Sequence, residues 1–358
     1  MQSKKYIAIM AGGIGSRFWP SSTAERPKQF LDILGVGKSL IRMTFERCLR
    51  LVPADHVYVM TNKKYKQLVK QHLPEIPEQN ILCEPSMNNT APCVAYTALR
   101  INALDPNALF AVLPSDHIIL KEDEYVKILD QAFSFASEND GLVTLGIQPT
   151  RPDTGYGYIE FSKDKVVNTN HNNQKIYKVT SFKEKPDTDT AQQYLDSGEY
   201  LWNAGMFIWS VKSIMEAFGK NAPDILNILS RDISCFNTEK EQEYIDQVYP
   251  QTENISIDYA ILERADNVYT IPADIGWSDL GTWNSLHAYM SDKTDQVTIG
   301  SNIHLINSNN IIVMSNNEKT IVIKGLKDYI VVDEDHALLI YPKADEQEIK
   351  GVVQKLIQ

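Results

Sequence analysis

Four short apolar runs, at residues 6–10, 57–60, 110–113 and 142–145, limit the fold more than any other feature of the chain. Each is brief and apolar throughout, as a strand is when both faces of a parallel sheet are covered. Between the runs the apolar spacing becomes helical, over residues 40–51, 91–103 and 125–137. Strand and helix therefore alternate, which predicts an α/β fold with a doubly wound, mostly parallel, Rossmann-like sheet. In such sheets ligands gather beyond the carboxyl ends of the strands. Gly12-Gly13 follows the first run, and Pro114-Ser115-Asp116 follows the third.

Past residue 150 the alternation loosens. TGYGYIEF and VTSFKEKP read as strands joined by a polar loop whose tip is NTNHNNQ, residues 168–174. Helical spacing returns near residues 188–197, 212–219 and 257–265. From about residue 297 the runs IHLI, NIIVM, TIVIKG, YIVVDED and ALLIYP are β-branched and separated by Asn, Gly or Asp turns. They predict a small C-terminal β domain, for which one or two coils of a left-handed β-helix are one available form. The expected division is a catalytic domain over residues 1–290 and the β domain over 291–358.

Composition narrows the function classes. The formal net charge is −11 and the Lys and Arg residues are scattered, so no basic patch invites nucleic acid. No apolar stretch is long enough to span a bilayer, and the N-terminal run is too short for a signal peptide. The four cysteines, Cys48, Cys83, Cys93 and Cys235, have no metal-ligand spacing and read as reduced, mostly buried thiols. A cytoplasmic protein without a nucleic-acid or membrane partner is the expectation.

The segment GGIGSRFWPSSTAERPKQF, residues 12–30, carries the strongest chemical signal. A triphosphate needs backbone N–H groups that approach closely and cations that neutralise charge building up during displacement. Gly12, Gly13 and Gly15 meet the first need; Arg17 and Lys28 meet the second. The dinucleotide fingerprint GxGxxG fails, because Phe18 stands where its last glycine belongs. A Walker loop at GVGKS fails as well, since its first glycine would fall on Asp32. Asp116 stands just past a strand, where a carboxylate can hold a cation against phosphate oxygens.

With AGGIGSRFWP, RPKQF, EPSMNNTAP, LPSDH, TGYGYI, FKEKP, LWNAGMFIW, SIDYAILE and GWSDLGTW in this order, the chain resembles the mannose-1-phosphate guanylyltransferases, or GDP-mannose pyrophosphorylases, within the sugar-nucleotide pyrophosphorylases. The resemblance implies a Mg²⁺-dependent reaction of GTP with mannose 1-phosphate that gives GDP-mannose and pyrophosphate. It implies nucleotide contacts at Ala11, Gly12, Gly13, Gly15, Ser16 and Ser115, and a second metal ligand, Asp279, beside Asp116. Asp258 ranks behind Asp279, since it falls at a helix start where an acid commonly complements the dipole. Glu184 is implied to bind sugar hydroxyls and Lys185 to draw in the sugar phosphate, although adjacent residues of a straight strand face opposite sides.

Tyr156, Gly157 and Asn203 read as a sugar-binding wall, with Trp202, Phe207 and Trp209 as core. Glu84, Asn89 and Thr90 are the expected base pocket, Glu84 accepting from guanine N1–H and N2–H. The family usually carries a basic residue where Asn88 stands, a threonine at Ser16 and commonly an arginine at Thr23. Asn88 and Thr23 each remove a positive charge. Some family members also carry a cupin isomerase domain, but no His/Glu metal cluster follows residue 291 and no isomerase activity is expected.

Two other readings use the same residues. One is a pyrophosphorylase for another sugar or nucleotide, separated only by the base pocket and sugar wall. The other is a silent sensor of sugar nucleotides, against which two metal ligands argue. Uncovered edges of the C-terminal β domain suggest a homodimer.

Overall fold

The structure is a computed structural model that describes residues 3–13, 15–167, 175–291 and 295–356. The loop tip expected at 168–174 lies outside the described residues. The chain forms two compact units: one of Met1–Gly12, Phe45–Pro114 and Ile119–Trp277, the other of Gly13–Thr44, Ser115–Ile118 and Ser278–Gln358.

The first unit is built on β1 (Lys5–Met10), β2 (Val57–Asn62), β3 (Ile81–Glu84), β4 (Leu109–Pro114), β6 (Leu142–Ile147), β7 (Gly157–Val167), β8 (Ile176–Glu184), β9 (Tyr200–Ser210) and β10 (Val268–Pro272). The two-residue strands β5 (Ile118–Ile119) and β11 (Trp277–Ser278) lie where the chain passes from one unit to the other. The nine strands form one sheet in the order β3-β2-β1-β4-β9-β6-β10-β8-β7. Strands β1 to β4 pair in parallel, as their continuous apolar runs require. The long strand β9 enters antiparallel between β4 and β6, so the sheet is mixed at its centre. Its register against β6 shifts between Thr144 and Gly146, and this irregularity sits beside Asn203.

Helices α1 (Leu40–Cys48), α2 (Lys66–His72), α3 (Thr90–Leu104), α4 (Glu122–Glu138), α5 (Thr188–Ser197), α6 (Val211–Asn221), α7 (Pro223–Leu229) and α8 (Glu241–Val248) follow in chain order. The helix expected at residues 257–265 is a five-residue π turn, Asp258–Leu262. Wider turns of this kind occur mostly as short insertions, often at functional sites. Trp209 and Phe207 are core residues as expected, stacked at 5.7 Å. Cys48, Cys83 and Cys93 are buried free thiols, and Cys235 is partly exposed. None of the described helices is long and apolar enough to cross a membrane.

The second unit carries β12 (Gln296–Ile299), β13 (Ile303–Ile306), β14 (Ile311–Ser315), β15 (Ile321–Lys324), β16 (Tyr329–Glu334) and β17 (Ala337–Pro342), with α9 (Trp283–Met290) and α10 (Ile349–Leu356). Strands β12, β14 and β16 stack in parallel, as do β13 and β15, giving β-helix-like coils; β17 closes the stack antiparallel. Left-handed backbone at Asn307, Asn310, Asp328 and Gly325 turns the chain between strands. Phe18, Trp283, Leu280, Ile312 and Ile330 share the core of this unit, so residues from both ends of the sequence build it.

The first unit is braced by a buried ion pair. Arg100 and Glu241 are 6% and 4% exposed and in direct contact, and Tyr96 donates to the same carboxylate at 2.7 Å. Glu241→Ala strands the guanidinium without a counterion, and the expected loss is about 3–5 kcal/mol in urea unfolding. A change below about 1 kcal/mol contradicts this reading.

Candidate active site

Most of the expected phosphate-side residues, from Gly13 to Lys28 with Ser115, Asp116 and Asp279, belong to the second unit. Gly15 sits at φ 71°, in the left-handed region, and a Cβ there would run into the Lys28 side chain. The turn Ser16–Phe18 then exposes Arg17 and buries Phe18 against Trp283, ring centroids 4.9 Å apart. Pro27 precedes a second short turn, Lys28–Phe30, that buries Lys28. The Lys28 ammonium lies 2.9 Å from Asp116 Oδ2 and donates to the Asp279 backbone oxygen at 2.7 Å. Gln29, to which the sequence assigns no role, donates to the Gly13 carbonyl at 2.9 Å and holds the glycine loop. Ser115 is buried, and its carbonyl accepts from the Thr44 hydroxyl at 3.3 Å. Thr23 accepts from the Arg26 N–H at 3.1 Å, closing a local turn.

Asp279 reaches this cluster through a strained turn. Leu280 is fully buried at φ 45°, a conformation that is a true outlier for a bulky residue. Such strain persists where surrounding packing over-determines it, commonly at functional sites. Gly281 leaves room for the carboxylate, since a Cβ there would lie 2.7 Å from Asp279 Oδ2.

Nucleotidyl transferases generally use a divalent metal, and these residues fit one. Lys28 already shows that a positive charge is accommodated between oxygens of Asp116 and Asp279. Hard divalent cations take oxygen ligands, and one or two carboxylates suffice when phosphates complete the shell. Burial pushes the Asp116 carboxyl up, but the Lys28 ammonium, His117 and hydrogen bonds outweigh it and hold the group below its ordinary value.

The expected base-pocket residues lie in the first unit at the ends of β1 and β3. Ala11 is buried; its N–H donates to the Met60 carbonyl at 2.7 Å and its carbonyl accepts from Thr61 at 2.9 Å. A Cβ on Gly12 would lie 3.5 Å from Glu84 Oε2, which puts that carboxylate against the glycine backbone. The Tyr249 hydroxyl donates to Glu84 Oε1. Burial nevertheless pushes the Glu84 carboxyl up to about 7. Asn89 has φ 66° and caps α3, accepting from Thr90 N–H at 3.0 Å, while the Thr90 hydroxyl accepts from Ile257 N–H at 2.8 Å. Asn88 donates to the Tyr249 and Thr252 carbonyls at 3.2 and 2.9 Å, fixing the turn that carries Tyr249.

The expected sugar wall, also in the first unit, does come together. Strand β8 ends at Glu184, and Lys185 takes φ 49° while its N–H donates to the Tyr156 carbonyl at 3.2 Å. The expectation that Glu184 and Lys185 face opposite sides is corrected here: the left-handed step turns Lys185 back, and its ammonium lies 3.0 Å from Glu184 Oε1. A Cβ on Gly157 would strike Glu184 and lie 3.4 Å from Asn203 Cβ, so these three residues adjoin. Tyr156 stands edge-on to Trp202 at 5.0 Å, and Arg151 lies over the Trp202 ring at 5.1 Å. The expectation for Asp258 is a helix-dipole role; instead Asn203 Nδ2 donates to its Oδ1 at 3.0 Å. Tyr249 and Arg151 carry no motif signal of their own, since each acts through contacts made only on folding, and Gln29 lies within RPKQF without a role that the sequence assigns.

Comparison with known proteins gives the family of the chain and of its fold. The nucleotidyl transferase family matches residues 7–296, and the MannoseP isomerase/GMP-like beta-helix domain matches 301–356. The mannose-1-phosphate guanylyltransferase of Escherichia coli (strain K12) is 35% identical over 361 residues, 99% of this chain and 74% of that protein. The protein of the same name from Salmonella montevideo is 36% identical, over 97% of this chain and 73% of its own length. Mannose-1-phosphate geranyltransferase from Thermus thermophilus shares the fold with a TM-score of 0.88 at 28% identity, covering 99% of this chain and all of that one. Fold and family match thus define the class: an enzyme of the nucleotidyltransferases. Within it, the chain belongs to the mannose-1-phosphate guanylyltransferase family.

A carboxyl raised to about 7 binds its proton in the folded state over a pH range where the unfolded chain has lost it. The contribution of Glu84 to stability is therefore present at low pH and disappears as pH rises from about 4.5 to 7. Glu84→Gln removes this dependence. Relative to wild type, the variant is expected to gain roughly 3 kcal/mol between pH 4 and pH 8 in denaturant unfolding. Parallel pH profiles for the two proteins contradict the assignment.

Proposed function

We propose that the chain transfers GMP from GTP to α-D-mannose 1-phosphate in the cytoplasm, giving GDP-mannose and pyrophosphate. In this reading residues 1–290 are the catalytic domain and 291–358 the small β domain. The observation that carries it is the Lys28 ammonium held by Asp116 and Asp279 behind the glycine loop, in a chain whose named relatives align over nearly its whole length.

The reaction is an in-line displacement. A phosphate oxygen of mannose 1-phosphate forms a bond to the α-phosphorus of GTP, and the bond from that phosphorus to the β-bridging oxygen breaks, its electron pair leaving on pyrophosphate. Backbone N–H groups around Gly12, Gly13 and Gly15 hold the triphosphate, with Ser16 and Ser115 beside it. Arg17 neutralises the leaving pyrophosphate, and Lys28 the α-phosphate. Glu84 reads the guanine edge, with Asn89 and Thr90 alongside. Lys185 attracts the sugar phosphate, while Glu184, Asn203, Tyr156 and Gly157 orient the ring, so that entropy is lost on binding rather than in the transition state. Asp116 and Asp279 would hold Mg²⁺, which supplies positive charge to the phosphate oxygens. Exposed Val322, Leu338 and Ile340 on β15 and β17 support a homodimer through the β domain.

Coupled pyrophosphate release, with GTP, UTP, dTTP and ATP against mannose, glucose and fucose 1-phosphates, tests substrate and reaction together. GTP with mannose 1-phosphate should exceed every other pair in kcat/KM by at least about tenfold. A different winning pair, or no release with any, refutes the reading. Arg17→Ala should lower kcat at saturating GTP by about 100-fold; near-full turnover would mean the triphosphate lies elsewhere.

A further inference from the structure

We propose that Asp258 is a specificity-determining residue of the sugar site, hydrogen-bonded to a ring hydroxyl of the substrate alongside Glu184 and Asn203. The inference rests on the functional reading above and adds a residue to its sugar wall.

The orientation of the Asn203 amide is dictated by its surroundings. Its Oδ1 accepts from the buried Thr144 hydroxyl at 3.0 Å and from the Gly205 N–H at 3.1 Å. Both are donors, so the oxygen must face them and the NH₂ group must face Asp258, to which it donates at 3.0 Å. An amide carries two N–H bonds, and only one goes to Asp258. The Asn203 amide and the Asp258 carboxyl therefore lie side by side, in hydrogen-bond contact.

Glu184 completes the set. Gly157 adjoins both Glu184 and Asn203, since a Cβ there would strike Glu184 Oε2 and meet Asn203 Cβ at 3.4 Å, so only a glycine lets the carboxylate lie this close to Asn203. Asp258 senses Glu184 as a neighbouring negative charge, an arrangement that works against folding unless something else is gained. Burial and this neighbour together push the Asp258 carboxyl up to about 7. Near neutral pH Asp258 thus retains its proton for part of the time, offering donor and acceptor together. Sugar hydroxyls need this combination, because each is itself one donor and two acceptors. The π turn Asp258–Leu262 supplies the local geometry, and the Ser256 hydroxyl just before it accepts from the Tyr259 N–H at 3.3 Å. A residue serving only to begin a helix would not need an amide locked against it by two other donors.

The test is initial-rate kinetics at saturating GTP with mannose 1-phosphate and its 2-, 3- and 4-deoxy analogues, comparing wild type with Asp258→Asn. For wild type, removing the contacted hydroxyl should cost on the order of 10- to 100-fold in kcat/KM. Asp258→Asn should lose a similar factor with mannose 1-phosphate, yet lose less than about threefold more when that same hydroxyl is removed, because the two changes delete one interaction. The KM for GTP should stay within about threefold of wild type. Deoxy analogues that penalise the variant as much as wild type, or a GTP KM that rises with the sugar KM, overturn the inference. A crystal structure of the wild-type protein with GDP-mannose decides the matter without a variant. An Asp258 oxygen within about 3.2 Å of a ring hydroxyl supports the proposal, and a gap beyond about 4 Å overturns it. A wild-type protein that makes no GDP-mannose fails the functional reading and this inference with it. Activity in wild type with unchanged analogue ratios in the variant sinks only the inference.

Discussion

The Lys28 ammonium, only 4% exposed and gripped by the Asp116 carboxylate and the Asp279 carbonyl oxygen, is the interaction on which the proposed phosphate side depends. A cation taken out of water without partners is strongly destabilising, so Lys28 can stay buried only while both oxygens are present. Those oxygens come from segments far apart in the chain. Gly15 must be left-handed and bare for the lysine stem to pass, and Leu280 must accept a left-handed backbone for Asp279 to turn inward. The buried contact of Phe18 with Trp283 ties the first of these segments to the last. Pairing, packing and backbone strain therefore converge on one charge, and that charge is of the sign a triphosphate requires.

What could be read from the chain before folding divides along physical lines. Strands β1, β2, β4 and β6 were legible because burial on both faces leaves a continuous apolar run. The residues past their ends were legible because phosphate chemistry demands glycine and cations there. Strand β9 was harder, since a long antiparallel strand at the centre of a parallel sheet has no distinct period. Left-handed backbone at Lys185 and Leu280 was not legible at all. Neither residue favours it, and only the surrounding packing imposes it. The pairing of Asp258 with Asn203 was hidden for a similar reason, because 55 residues separate them and the π turn has no sequence signature.

The departures from the family pattern acquire physical content. Asn88 contributes no positive charge, but its amide secures the turn that brings the Tyr249 hydroxyl to Glu84. The Glu84 carboxyl is thus supported, through Tyr249, by an uncharged group. Thr23 is occupied in a local turn with Arg26. On this account the positive charge available to the triphosphate rests mainly on Arg17 and Lys28, and the sugar side rests on Lys185 beside Glu184.

In the proposed reaction catalysis rests on positioning and charge neutralisation, with no covalent bond between protein and substrate. The stereochemical course at phosphorus tests this most directly. GTP made chiral at the α-phosphorus with oxygen isotopes should give GDP-mannose of inverted configuration, because one in-line displacement inverts once. Retained configuration would require two displacements through a covalent intermediate, and would contradict the account.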